Sequence, residues 1–304
     1  MIRLQLEADG IEFAYRAGEP VLRGASCVFP GGELTALVGN NGSGKSTLLK
    51  ILVGVHHPDT GSVRFEGRPL SDANLAQYQR QVGFMPESLA LYPEMRAGAA
   101  LAFLARLKKV ALSEVVGALR RVGLDAHATK KIRTFSKGMR QRLNLAQAIL
   151  GEPRVVVLDE PSNGFDLKGV SVFYETVREL LDRGVVVVLS SHLFDEIQGR
   201  VDRVALISDG VIGRQGRVDE LLADLGVRSK SVRLKFEKAL TESDLAALRA
   251  IAPGLQRSGE DSLTAELDGQ AVAGVLSVAN SRNLGLRDIR IDGNELAYLM
   301  ETSR

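Results

Sequence analysis

The chain of 304 residues is 45% hydrophobic and 25% charged, with a formal net charge of +2 and one cysteine, Cys27. That length allows two domains with buried cores, and the single cysteine excludes a disulfide framework and fits a reducing compartment. The near-neutral balance implies no polyelectrolyte, so no nucleic acid is expected as a partner, and no run approaches the ~18 apolar residues of a spanning helix.

Residues 2–8 and 11–15 alternate as strands, with Asp9-Gly10 read as the turn between them. The first seven residues alternate like a strand and lack the pattern of a cleaved leader. Tyr15, ahead of a loop through Pro20, reads as a strand-edge tyrosine or as a platform for an adenine ring. The stretch Gly39-Asn40-Asn41-Gly42-Ser43-Gly44-Lys45-Ser46-Thr47 then fits the phosphate-loop pattern G-x-x-x-x-G-K-[ST]. An apolar strand-like run, Leu34–Val38, precedes it, and a helix-like run, 48–52, follows. Glycines let the backbone wrap phosphates, and the exposed N–H groups form an anion nest at a helix N-terminus. Lys45 supplies a positive charge for the β- and γ-phosphates, and the Ser46 hydroxyl suits Mg²⁺.

Gly54, Pro58 and Gly61 punctuate the chain before a short strand at 62–65. Residues 71–81 read as a polar helix and Val82–Met85 as a strand ending at Pro86-Glu87. Glu87, near the nucleotide core, is a carboxylate that could hold Mg²⁺ through water or sense the γ-phosphate. By itself it reads as a loop acid. A helical insert covers about residues 88–150. Its spacing sets Leu101, Leu104 and Leu107 on one face, and Val115, Val116, Leu119 and Val122 on another. Ser136-Lys137-Gly138 marks a helix N-terminus, read as an N-cap or as a second phosphate contact.

Val155–Leu158 reads as a buried parallel strand ending in Asp159-Glu160, where α/β sheets bind ligands. Asp159 suits Mg²⁺, and Glu160 suits orientation or deprotonation of an attacking water. A helix over 169–183 and a buried strand over 185–189 follow. His192, at the end of that strand, fits a γ-phosphate contact or a water-orienting role. A strand at 204–207 turns at Ser208-Asp209-Gly210. From about residue 227 the character changes. Strands near 232–236, 263–267 and 286–291, and helices near 241–250, 269–280 and 293–301, describe a small α+β appendage without catalytic residues.

The order of these motifs resembles the ATP-binding-cassette (ABC) ATPase family over roughly residues 1–225. The resemblance implies an α/β phosphate-loop NTPase domain with a helical subdomain, residues 1–226, and an accessory domain at 227–304. Tyr15 corresponds to the adenine-stacking aromatic, residues 39–47 to the Walker A motif, and Ser136 and Gly138 to the signature motif. Asp159 corresponds to the Walker B aspartate and Glu160 to the catalytic glutamate. Asp166 falls in the D-loop, and His192 matches the switch histidine. Three positions depart from the family: Glu87 replaces the Q-loop glutamine, Lys137 the first signature glycine, and Met139 the signature glutamine.

What the resemblance implies is an ATPase using ATP and Mg²⁺. It would work as a homodimer beneath a transmembrane permease subunit on the inner face of the cell membrane. Residues 136–148 and 287–291 also resemble the ATPase of the copper-processing transporter that matures nitrous-oxide reductase, which implies a periplasmic accessory protein. A soluble ATP switch of DNA repair or translation is the alternative, against which stand the single cassette and the lack of sustained heptads.

Overall fold

The computed structural model describes residues 4–192, 197, 199–224, 230–267 and 269–292. It divides into two units, Met1–Gly216 and Arg217–Arg304, the boundary lying ahead of the composition change near residue 227.

The first unit contains two sheets. One is antiparallel, in the order β2-β1-β4-β5, built from β1 (Gln5–Ala14), β2 (Pro20–Pro30), β4 (Thr60–Phe65) and β5 (Arg68–Pro69). The expected Asp9-Gly10 turn is absent. β1 runs through it as one strand, and its register against β2 shifts between Ala8 and Ile11. Gly10 has a φ of 60°. A left-handed glycine serves a β-bulge as readily as a hairpin turn, so the dipeptide alone does not separate the two.

The second sheet has six strands in the order β10-β9-β3-β8-β7-β6. Its members are β3 (Leu34–Val38), β6 (Val82–Met85), β7 (Val155–Leu158), β8 (Val186–Ser191), β9 (Arg203–Ser208) and β10 (Val211–Arg217). β3 pairs in parallel with β8 and β9, and β7 in parallel with β6 and β8. Every residue of β3, β7 and β8 is buried, as the unbroken apolar runs of a covered parallel sheet require. The parallel directions bring the carboxyl ends of β3, β8, β7 and β6 to one rim, where open α/β sheets form clefts.

Six helices accompany these sheets among the described residues: α1 (Lys45–Leu52), α2 (Asp72–Gln79), α3 (Ala97–Lys108), α4 (Glu114–Arg121), α5 (Lys137–Ala148) and α6 (Leu167–Asp182). The apolar face expected on α3 is narrower than the spacing suggested. Leu101 is buried, but Leu107 is 65% exposed and, on α4, Val116 is 55% exposed. A repeat of three drifts by about 60° per step on a 3.6-residue helix, and adjacent residues stand about 100° apart, so neither series stays on one face. No helix of the described residues is long and apolar enough to cross a membrane.

In the second unit, β11 (Lys230–Phe236), α8 (Glu242–Ile251), β12 (Gln256–Arg257), β13 (Ser262–Leu267), α9 (Gly269–Ser281) and β14 (Leu286–Asp292) follow α7 (Val218–Asp224). Their sheet order is β12-β13-β11-β14. This βαββαβ connectivity is the ferredoxin-like arrangement. Thr241 caps α8 in a reciprocal capping box with Asp244, each side chain satisfying a backbone N–H. Val232, Leu234 and Phe236, alternating along β11, pack with Leu245, Leu248 and Val275 in a core of their own. The helix expected at 293–301 lies outside the described residues.

Candidate functional site

The phosphate loop follows β3, and its shape depends on glycine. A Cβ at Gly39 would collide with the Ile207 carbonyl oxygen, and Gly44 has a φ of 104°. Lys45 opens α1 and is buried. Its Nζ donates to the carbonyls of Gly39 at 2.7 Å and Asn40 at 3.1 Å. The ammonium thereby draws the loop around itself. Burial lowers its pKa below the ordinary value, an effect opposed by the Glu160 and Asp159 charges. Glu160 Oε1 lies 3.7 Å from Nζ. The buried Ser43 hydroxyl has no partner within the protein, a polar atom left for a ligand or water to satisfy.

Asp159 and Glu160 follow β7 and are buried, which excludes a pair of solvated loop acids. Asp159 Oδ1 accepts from Ser46 Oγ at 3.1 Å and from Ser190 Oγ at 2.7 Å. The same Ser190 hydroxyl accepts from the Glu160 backbone N–H at 2.8 Å. Glu160 is held at a φ of 47°, and it is the buried member of the non-glycine residues with positive φ; the others described are exposed. Such a conformation persists only where its surroundings impose it. His192 Nδ1 lies 2.8 Å from Glu160 Oε2, so the carboxylate is fixed from both its backbone and its side chain.

A cleft of about 440 Å³ is lined by Asn41, Gly42, Gly44, Lys45, Ser46, Thr47, Glu87, Glu160 and His192, with Val21 and Asn163. Its size suits a small-molecule ligand. Tyr15 stands beside it, its hydroxyl 3.2 Å from Thr47 Oγ1 and the residue 56% exposed. Its ring meets Phe13 and His56 edge-on, at centroid distances of 5.0 and 5.6 Å. A larger cleft, about 740 Å³, lies along α6 and residues 199–202. It shares no residue with the first, and although Glu175, Arg178, Arg200 and Asp202 line it, it has no lysine, no histidine and no phosphate loop, so the smaller cleft is the chemical one.

Three expected residues stand apart from this cleft. Ser136 is the N-cap of α5, its Oγ accepting from Met139 N at 3.2 Å. Asp166 caps α6 by accepting from Gly169 N at 2.7 Å. Gly138 is buried against the Asp166 segment. Ser190 is the functional contact that sequence reasoning missed. Its place at the end of a buried strand, two residues before His192, was the available signal.

Among the described residues no group of three or more His, Cys, Asp or Glu could enclose a metal ion. The Ser46 hydroxyl beside Asp159, with Glu87 on the cleft, offers a few hard oxygens instead. That set fits Mg²⁺, which keeps several waters and takes its remaining ligands from substrate phosphates.

The profile of the family described as ABC transporter matches residues 22–163. A linearmycin resistance ATP-binding protein of Bacillus subtilis is 30% identical over 251 residues, covering 81% of this chain and 79% of that protein. A lantibiotic transport ATP-binding protein of Streptococcus pyogenes is 33% identical, with 63% and 82% covered. The solved ATP-binding subunit of an ABC transporter superposes with a TM-score of 0.67 at 28% identity, over 73% of this chain and 94% of that one.

Proposed function

This chain belongs to the ABC transporter family as an ATP-binding, ATP-hydrolysing subunit, and from that premise we propose that it drives a separate transmembrane permease through a nucleotide-bridged homodimer. The observation that carries this is the convergence of the phosphate loop, Glu160, His192 and Glu87 on one cleft, with Asp159 bonded to Ser46 of that loop and Ser136 and Gly138 outside the cleft. The two signature residues expected to touch phosphate, Ser136 and Gly138, stand outside the chain's own site, and a second copy placed head-to-tail supplies them. ATP then bridges two surfaces and favours the closed state, and hydrolysis removes the bridge.

Within the site, Lys45 and the loop N–H groups bind the phosphates, and Tyr15 packs on the adenine. Ser46, with Asp159 and Glu87, would hold Mg²⁺, which neutralises charge on the β- and γ-phosphates. Glu160 accepts the proton of the attacking water, and His192 fixes the orientation of its carboxylate. Ser190 keeps Asp159 and Glu160 in register with the loop. The closed cassettes lie on the cytoplasmic face of the membrane, beneath the permease.

The resistance and transport roles of the two named relatives support coupling to a permease over a soluble ATP switch. A narrower reading assigns the chain to copper processing for nitrous-oxide reductase, with a periplasmic accessory protein; its support is the sequence of residues 136–148 and 287–291. Recovery of that accessory protein with the permease from solubilised membranes would establish it.

Glu160→Gln tests the mechanism. The variant is expected to bind ATP, accumulate as an ATP-dependent dimer in sedimentation, and lose turnover by about 10²–10⁴-fold, the usual contribution of a general base. Turnover at the parent rate would remove Glu160 from that role.

A further inference from the structure

Helix α5 buries polar side chains in a definite pattern. Arg142 donates to the carbonyls of Val122 and Gly123, closing the end of α4. Further along the helix, Asn144 Nδ2 donates to the Pro86 carbonyl at 2.6 Å and Gln147 Nε2 to the Phe84 carbonyl at 2.5 Å. Gln147 also donates to Asn144 Oδ1 at 3.2 Å. From the other side, Lys108 Nζ donates to the Gln147 carbonyl at 3.1 Å.

Phe84 and Pro86 are two residues apart at the end of β6, the outer strand of the six-stranded sheet. Carbonyls at that spacing point the same way along a strand, here toward the side with no further strand. Side chains three apart on a helix share a face, so Asn144 and Gln147 meet both carbonyls at once. The backbones are in direct contact as well: a Cβ at Gly83 would collide with the Ala148 carbonyl. The next residue after the second bonded carbonyl is Glu87, on the nucleotide cleft.

We propose that Asn144 and Gln147 are positioning residues that fix Glu87 relative to the phosphate loop, so that α5 and the Glu87 segment move as one body. The proposal rests on the reading that Glu87 faces the Mg²⁺ and γ-phosphate of the bound nucleotide.

Calorimetric binding of a non-hydrolysable ATP analogue, with Mg²⁺ and in EDTA, tests this on the full chain. Asn144→Leu keeps the side chain's branching and Gln147→Met its length, and both remove the donors. Each is expected to cut the Mg²⁺-dependent gain in affinity by roughly tenfold, the scale on which supporting groups tune metal ligands. Affinity in EDTA should be unchanged. Gln141→Met is the control: Gln141 is another buried glutamine of α5, and its Nε2 has no partner. It should keep the Mg²⁺ gain. Equal loss in Gln141→Met, or no loss in the two test variants, overturns the positioning role. Glu87→Ala separates the underlying reading, because an unchanged Mg²⁺ gain there removes Glu87 from the site and the proposal with it.

Discussion

In the first unit Lys45, Asn144, Gln147, Asp159, Glu160 and Ser190 are all buried, whereas in the second no polar or charged side chain among the described residues is. The second unit's interior is Val232, Leu234, Phe236, Leu245, Leu248, Leu263 and their apolar neighbours. A buried polar group costs stability unless it is paired. The first unit accepts that cost and pairs Lys45, Asn144, Gln147, Asp159, Glu160 and Ser190 with one another or with backbone carbonyls. The second avoids it and relies on apolar packing. Buried polarity therefore marks the unit that carries the candidate site, while the described interior of the second unit is apolar packing.

The sharpest way to break this contrast is to damage the apolar unit. Phe236→Ala should cost about 3–5 kcal/mol, the usual range for an aromatic removed from a core. Calorimetry would show this as an earlier transition of the second unit, with the ATPase of the folded protein unchanged. A fall in ATPase would show that the second unit contributes to the chemistry.

Ser190→Ala is the corresponding damage to the polar unit. It removes one hydroxyl with two partners, Asp159 Oδ1 and Glu160 N. The expected cost is about 1–3 kcal/mol of stability, from polar groups left unpaired, with a fall in turnover larger than the fall in ATP affinity. A loss of stability with turnover intact would reduce Ser190 to a structural residue.

A pH-dependent effect is expected at Lys108, whose amine pKa is drawn down by burial to about 8. The folded chain gives up this proton at lower pH than the unfolded chain. Stability of the first unit should therefore rise with pH from about 8 toward 10.5 and carry a constant penalty below that window. Lys108→Met should flatten this part of the profile in thermal melts; an unaltered profile would assign it to another group.

The sequence was most legible where chemistry restricts residue type. Lys45, Ser46, Glu87, Glu160 and His192 sit at strand or loop ends that an apolar run announces, and they meet in one cleft. The sheet strands around them could be read for the same reason. What escaped was set by distant pairing. Ser190 acts through Asp159, 31 residues away, and no local pattern contains that contact. β12 is two residues long and is defined only by its pairing with β13, so the ferredoxin-like order was hidden even though the longer strands were recognised. At Asp9-Gly10 the local chemistry was read correctly and the wrong motif chosen, because bulge and turn ask the same thing of glycine.

The left-handed backbone at Glu160 sets heat resistance against turnover. Holding a non-glycine residue there costs on the order of 1–3 kcal/mol, and glycine would be free of that cost. A library of this chain selected for thermal tolerance alone would accumulate glycine at position 160 and lose the carboxylate. Selection for hydrolysis would keep the strained residue and seek its stability elsewhere in the first unit.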